Sequence, residues 1–319
     1  MNSLTGTKVL VLGGRGFLGR NLVDVLLRDG ASVRTFDRQL SSSSTDQPAF
    51  KGKVEEFEGN FIDGQGLEAA LDNVDLVYHL ISTTVPSGSN ADPIGDVTSN
   101  LAGTLRLLKA MSRLGVNRLV YASSGGTVYG NPCVLPVPEW HTLQPISSYG
   151  VVKVAVENYL HLHSELHGLQ ANVLRISNPY GMHQRRIGTQ GVIATFLNKL
   201  VNGQTIEIWG DGSAVRDYIY VADVARALLL AGHREKSGTF NIGSGVGHSL
   251  NDVLRVLRNQ TGLETEVRYL PHRKFDVSQT FLDIERAREK LGWTPFYTLE
   301  EGCARFCQLM ERAREPALS

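Results

Sequence analysis

Apolar and polar positions along this chain follow two alternating periods. Lys8–Leu12 (KVLVL) is a short apolar run closed by glycines, the pattern of a strand buried on both faces of a parallel sheet. Phe17, Leu18, Leu22, Val25 and Leu26 then recur at helical spacing, and Asp29-Gly30 stops that helix after Arg28. Ser32–Asp37 reads as a second strand, Val54–Phe57 as a third and Leu76–Leu80 as a fourth. One helix is predicted from about Ile94 to Leu114, a fifth strand at Arg118–Ala122, a helix over Ser147–His167 and a sixth strand at Ala171–Ile176. Strands alternating with helices predict right-handed βαβ units, hence an α/β fold with a doubly wound parallel sheet. Ser41–Pro48, with four consecutive serines, reads as a mobile surface loop.

After Asn178 the rhythm changes. Glycine-bounded short strands (Thr205–Trp209, Asp217–Tyr220, Thr239–Ile242, Glu266–Tyr269) are interspersed with helices. They predict a smaller C-terminal α/β lobe over the carboxyl edge of the sheet, where open α/β sheets place their ligands.

Composition narrows the function classes. The 319 residues are 42% hydrophobic and 20% charged with a net charge of +0, which suits a soluble globular protein. Balanced charge gives no reason to expect nucleic acid or an anionic membrane as partner. Cys133, Cys303 and Cys307 are too scattered for a disulfide framework, and Cys303 and Cys307 read as buried thiols of one helix rather than a metal pair. No run approaches the ~20 apolar residues of a membrane span. The chain enters its first strand almost at once, leaving no room for a signal peptide, so a cytoplasmic location is expected.

Two motifs carry candidate chemistry. Gly13, Gly16 and Gly19, in GGRGFLG, follow the first strand and open a helix. Gly13 permits the tight turn, Gly16 lets backbone approach a pyrophosphate, and Gly19 lets helix and strand pack closely. The helix start directs free N–H groups at the phosphates. Asp37 ends the second strand eighteen residues beyond Gly19, where a carboxylate accepts hydrogen bonds from ribose hydroxyls and repels a 2′-phosphate. That favours NAD over NADP, although neighbouring Arg38 could pair with such a phosphate. The fold class is therefore Rossmann-type. Residues 1–178, with return segments near 221–242, are expected to form the NAD-binding domain, and 179–319 mainly the substrate lobe.

The second motif is Tyr149 with Lys153, on one face of a helix. A free phenol, with a pKa of ~10, is a poor base at neutral pH. A nearby ammonium and an oxidised nicotinamide both stabilise the phenolate, and three units of lowering need about 4 kcal/mol. Hydroxyls of Ser123-Ser124-Gly125-Gly126-Thr127-Val128-Tyr129-Gly130, at the end of the fifth strand, sit where a substrate oxygen would meet the cofactor.

GGRGFLG, YASSGGTVYG, SSYGVVK, RISNPYG, IWGDGSAVRDYIYVADVA and a closing LGWTP together resemble the extended short-chain dehydrogenase/reductase family, and within it the nucleotide-sugar epimerases. The resemblance spans nearly the whole chain. It implies a cofactor site built from the glycines, Phe17, Leu18, Asp37, Asn60, Phe61, Leu80, Ile81, Ser82, Asn100, Ser123, Tyr149 and Lys153. It implies a sugar-nucleotide site in which Asn178, Arg216 and Arg273 hold the nucleotide, with Trp209, Gly191-Val192, Thr84, Asp276 and Thr280 as neighbours. An ion pair of Arg216 with Asp217 or Asp223, and core packing of Trp209, are the plain alternatives.

Four departures from the family pattern matter. Gly125 stands where the family's catalytic serine or threonine is usual. If the strand stays extended, alternation favours Thr127 as the replacement hydroxyl; Ser124 serves if the strand end turns, and loss of activity is the third alternative. No carboxyl group stands at Gly126 or Thr127, which removes the acid–base groups of related dehydratases and decarboxylases. Asn60-Phe61 replaces an Asp-Ile pair near adenine, and Thr84 replaces a lysine near the cofactor. Thr280, which is not such a departure, resembles a gate that is a large tyrosine in some members and smaller in those that admit N-acetyl sugars, so it implies room for a 2-acetamido group.

The resemblance thus implies NAD-dependent 4-epimerisation of a UDP-hexose, plain or N-acetylated, through a 4-keto sugar. Its rivals are an NAD(P)H-dependent 4-ketoreductase and a catalytically silent dinucleotide-binding protein. The helices Ile94–Leu114 and Ser147–His167 resemble those of a four-helix dimer interface, which implies a homodimer. His161, His163 and His167 read as solvated or interface histidines rather than metal ligands.

Overall fold

The computed structural model describes residues 3–39, 50, 52–86, 88–184, 191–272 and 277–312. Six strands alternate with helices through the first half: β1 Lys8–Leu12, β2 Ser32–Asp37, β3 Glu55–Glu58, β4 Leu76–His79, β5 Arg118–Ser124 and β6 Gln170–Ile176. The second half adds β7 Asn178–Tyr180, β8 Ile206–Trp209, β9 Val215–Tyr220, β10 Gly238–Ile242, β11 Gly247–Ser249, β12 Val267–Leu270 and β13 Gln279–Thr280. The main sheet has seven strands in the order β10-β6-β5-β4-β1-β2-β3, and all its pairings are parallel. The strand expected at Thr239–Ile242 lies in the return segment near 221–242. As β10 it pairs with β6, Phe240 opposite Leu174, and closes that edge.

Apolar helix faces cover both sides of the sheet. On one side Leu22, Val23 and Leu26 of helix Phe17–Arg28 meet Val224, Ala227 and Leu228 of helix Val221–His233. On the other, Leu107 and Met111 pack with Val156 and Leu160. A third core joins helices Val192–Val201, Leu250–Thr261 and Leu299–Arg312, and in it Cys303 and Cys307 lie buried as free thiols. Beside it β9 pairs with β7, β11 and β13, and β8 pairs with β12.

The predicted helix from Ile94 to Leu114 is three segments. Pro93–Asp96 is α-helical, Val97–Leu101 forms a π-helical turn, and Ala102–Leu114 resumes the α-helix. The wider turn brings Asp96, Ser99 and Asn100 inward, where all three are buried. Side-chain hydrogen bonds rather than apolar contacts hold them. Among the described residues no helix is long and apolar enough to cross a membrane, and no group of three or more His, Cys, Asp or Glu could hold a metal ion. Ser41–Pro48 lies outside the described residues.

Candidate active site

The glycine-rich turn connects β1 to helix Phe17–Arg28. Gly13 has φ 88°, the left-handed region that favours glycine. A Cβ on Gly19 would lie 2.1 Å from the Gly13 carbonyl oxygen, so the helix can sit this close only without a side chain there. No side chain caps the helix at Gly16, whose backbone is extended. The Arg15 N–H donates to both Asp37 oxygens, each at 3.1 Å. Burial pushes the Asp37 carboxyl up to about 6, against the pull of Arg15. A close-packed backbone turn, an uncapped helix start and a carboxylate beside it fit a dinucleotide. Leu80 and Ile81 follow β4, and Ile81 packs on Gly13. Asn60 is turned onto its own loop: its side chain accepts from the Ile62 N–H and donates to Asp63. Phe61 is buried against the His79 ring, with ring centres 5.2 Å apart.

Tyr149 and Lys153 rise from the start of helix Ser148–His167, which Ser147 caps by accepting from the Gly150 N–H. The Lys153 ammonium donates to the Ala122 carbonyl at 2.8 Å and lies 5.4 Å from the centre of the Tyr149 ring. Burial lowers the Lys153 pKa to about 8, while Glu157 and Asp96 pull it up. Burial pushes the Tyr149 phenol up to about 12. Asp96 adds to that shift, and hydrogen bonds from Ser82 and Ser124 oppose it. The lowering of the phenol expected from the sequence is therefore absent from the protein alone, because desolvation outweighs its neighbours.

The strand-end hydroxyl is a correction too. β5 stops at Ser124, whose carbonyl accepts from both the Thr127 and Val128 N–H groups, so the chain turns there. Alternation does not extend past that turn. The Ser124 hydroxyl acts to lower the Tyr149 pKa, whereas the buried Thr127 hydroxyl has no hydrogen-bond partner among the described residues. A Cβ on Gly125 would lie 2.6 Å from a Leu282 methyl and 2.9 Å from the Arg175 carbonyl oxygen. Glycine at 125 thus answers a packing demand, and a hydroxyl there would point into the core. Ser123, expected beside the cofactor, donates instead to buried Glu157, which pairs with Arg175.

Asn178, Val192, Trp209 and Arg216 line one cavity of about 260 Å³, together with Gly191 and Tyr218. Asn178 donates to the Asp217 carbonyl at 2.8 Å. A Cβ on Gly126 would sit 3.8 Å from the Asn178 amide, so the Ser124 turn and this cavity adjoin. Asp217 is buried and accepts from Ser177, Ser244, Gly245 and Leu282, and Asp223 pairs with Arg226. Both carboxylates offered as plain partners for Arg216 are thus engaged elsewhere. Thr280 stands opposite Arg216 in the β13–β9 ladder, buried, with its hydroxyl unpartnered among the described residues. Arg273 and Asp276 lie outside the described residues.

A model of the NAD dependent epimerase/dehydratase family matches residues 9–243. The chain belongs to that family. A putative UDP-glucose 4-epimerase of Methanocaldococcus jannaschii is 35% identical over 305 residues, covering 95% of this chain and 98% of its own. The crystal structure of a UDP-glucose 4-epimerase from Thermotoga maritima with UDP-glucose superposes with a TM-score of 0.91 at 36% identity, covering 97% of this chain and 100% of that one. A Thermus thermophilus UDP-glucose 4-epimerase in complex with NAD gives 0.88 at 32% identity, covering 96% and 100%.

Two residues of this epimerase/dehydratase family member escaped the sequence. Asp96 is buried beside Tyr149 and Lys153; it accepts from Thr84, Asn100 and Ser148 at 2.8 Å each. Thr84 and Asn100 are thereby tied to the chemical end, and Asn100 also accepts from the Thr83 N–H. Asp96 and Asn100 stand four residues apart and so meet on one helix face. Tyr218 lines the cavity with a buried hydroxyl that has no partner among the described residues, and burial raises its pKa. Period-two alternation from Arg216 along β9 was the available signal.

Proposed function

We propose that this protein interconverts the 4-epimers of a UDP-hexose through a 4-keto sugar, with NAD kept bound. The carrying observation is a half-buried tyrosine one helical turn before Lys153, lining a small cleft with Lys153, Asp96 and Ile81, with the glycine-rich turn near one side and the Asn178–Arg216 cavity near the other. Bound NAD supplies the hydride acceptor and donor for C4 and, oxidised, a positive charge near the phenol. Tyr149 takes the proton of the 4-hydroxyl and returns it after the sugar has turned. Ser124 orients that hydroxyl toward the phenol. Gly13, Gly16, Phe17, Leu18, Gly19, Asp37, Ile81 and Lys153 hold the dinucleotide. Asn178, Val192, Trp209, Arg216 and Tyr218 hold the nucleotide end of the sugar, so the hexose can rotate without leaving. In this reading residues 1–178 with the return segment 221–242 carry the cofactor, and 179–319 chiefly the sugar nucleotide.

Val151, Tyr159, Leu162 and Leu166 form an exposed apolar stripe on helix Ser148–His167, beside exposed Ile94 and Val97. The stripe suits pairing with a second copy, and light scattering at micromolar concentration should return a dimer mass. The protein is expected to act in the cytoplasm.

NMR of UDP-sugars incubated without added reductant tests the function. UDP-glucose and UDP-galactose should reach one mixture from either side, and Thr280 should admit the N-acetyl sugars at comparable rates. Turnover only with stoichiometric consumption of added NAD(P)H would overturn epimerisation in favour of ketoreduction.

A further inference from the structure

Arg15, inside the glycine-rich turn, carries a guanidinium close to Asp37, to which its backbone N–H donates. A planar, permanently charged fork at that place is a ready ligand for a phosphate on the ribose. It is not offered as one. Its Nε and Nη2 lie 3.0 and 2.9 Å from Glu56 Oε2, and its Nη1 lies 2.8 Å from Glu58 Oε1. Both glutamates stand on β3, two residues apart and so on one face, with Glu58 opposite Asp37 in the parallel ladder. The Arg15 side chain is 16% exposed, and those of Glu56 and Glu58 are 20% and 38% exposed, so this cluster is partly shielded from solvent. Asp37, Glu56 and Glu58 are three carboxylates here against the two guanidiniums of Arg15 and Arg20, so the surplus charge is negative by one. Arg38, the other cation beside Asp37 in sequence, is exposed.

We propose that Glu56 and Glu58 are determinants of dinucleotide selectivity: by occupying Arg15 they withhold it from a 2′-phosphate and leave Asp37 to face the ribose hydroxyls. This rests on the reading of the glycine-rich turn as the dinucleotide site. Two effects act in one direction, since the pairing removes an attractive cation and the surplus carboxylate charge repels a 2′-phosphate.

Calorimetric titration of the nucleotide-free protein with NAD+ and with NADP+ tests it through the ratio of the two dissociation constants. In the wild type the ratio should strongly favour NAD+. In Glu56→Gln/Glu58→Gln it should fall at least about tenfold through tighter NADP+ binding, and adding Arg15→Ala should reverse most of that fall. A ratio unchanged in the double variant overturns the proposal. So does a fall that persists undiminished in the triple variant, which would assign it to lost negative charge alone. Equal affinity of the wild type for both dinucleotides also overturns it. A wild type that binds neither overturns the dinucleotide reading itself, and the proposal with it; NAD+ binding with an unmoved ratio sinks the proposal alone.

Discussion

The glycine-rich turn and the start of the tyrosine helix flank the same site, but they hold different things ready. At the turn the geometry is finished: backbone packs on backbone around Gly13 and Gly19, and Arg15, Asp37, Glu56 and Glu58 are already paired. At the helix the geometry is finished and the electrostatics are not. Tyr149 is in place, yet burial and Asp96 push its pKa up to about 12, and Lys153 lies near it with its own pKa lowered to about 8. Ionising that phenol at neutral pH requires a further positive charge close by. The difference teaches that the binding end is preorganised for its ligand, whereas the chemical end keeps its base protonated until the site is filled.

Removing the phenol oxygen separates the two ends most sharply. Tyr149→Phe should lower kcat by about 10³-fold or more, in the range for loss of a general base, and change NAD affinity less than twofold. A parallel fall in NAD affinity, read by calorimetry, would mean that the ends are not separable.

Lys153 tests whether the chemical end trades stability for function. The ammonium is charged in a buried place, and burial lowers its pKa from the ordinary lysine value of 10.5 to about 8. The sign follows from proton binding. Below pH 8 folded and unfolded chains both hold the proton, and the cost of the buried charge is fully felt. Between pH 8 and 10.5 the unfolded chain still holds it while the folded one sheds it, so that cost fades. Nucleotide-free Lys153→Met should be more stable than wild type by about 2 kcal/mol at pH 7, after discounting the lost bond to Ala122. Wild type should regain about 1.4 kcal/mol per pH unit above 8. Urea melts showing no pH dependence in the difference would contradict this.

The strand-end hydroxyl is a smaller and more local test. Ser124→Ala should lower kcat about 10- to 100-fold, whereas Thr127→Val, at an unpartnered hydroxyl, should leave it within about threefold. The reverse order would restore the extended-strand reading.

The same contrast explains what could be read from the sequence. β1, helix Phe17–Arg28 and β2 fall on the predicted residues because apolar period and glycine punctuation define them locally. The parallel α/β fold and the Tyr149–Lys153 pair were legible for that reason. Features made by departures from regular period were not. The π-helical turn at Val97–Leu101 leaves the apolar pattern of the helix nearly intact, so Asp96 stayed hidden. The turn after Ser124 ended an alternation that had pointed to Thr127. Long-range pairings, β10 with β6 and Arg15 with Glu56 and Glu58, have no local signature at all.

Asp96 gives the finest test. Its carboxylate opposes ionisation of Tyr149 and supports the charge on Lys153, so it helps keep the resting base protonated. Asp96→Asn is close to isosteric, and the hydrogen bonds survive it. The retained oxygen still accepts from Thr84 and Asn100, and the new amide can donate to the Ser148 hydroxyl where Oδ2 now accepts. Only the charge is lost. The active form needs an ionised phenol, so the rate falls as pH falls through the phenol's working pKa. Removing the negative charge lowers that pKa, and the acid limb of kcat should move to lower pH by roughly half a unit. A limb that stays in place while KM and thermal stability change would make Asp96 a strut of the π-helical turn. A limb displaced to higher pH would mean that Asp96 acts mainly through Lys153, and the chemical end would then be tuned toward ionisation rather than away from it.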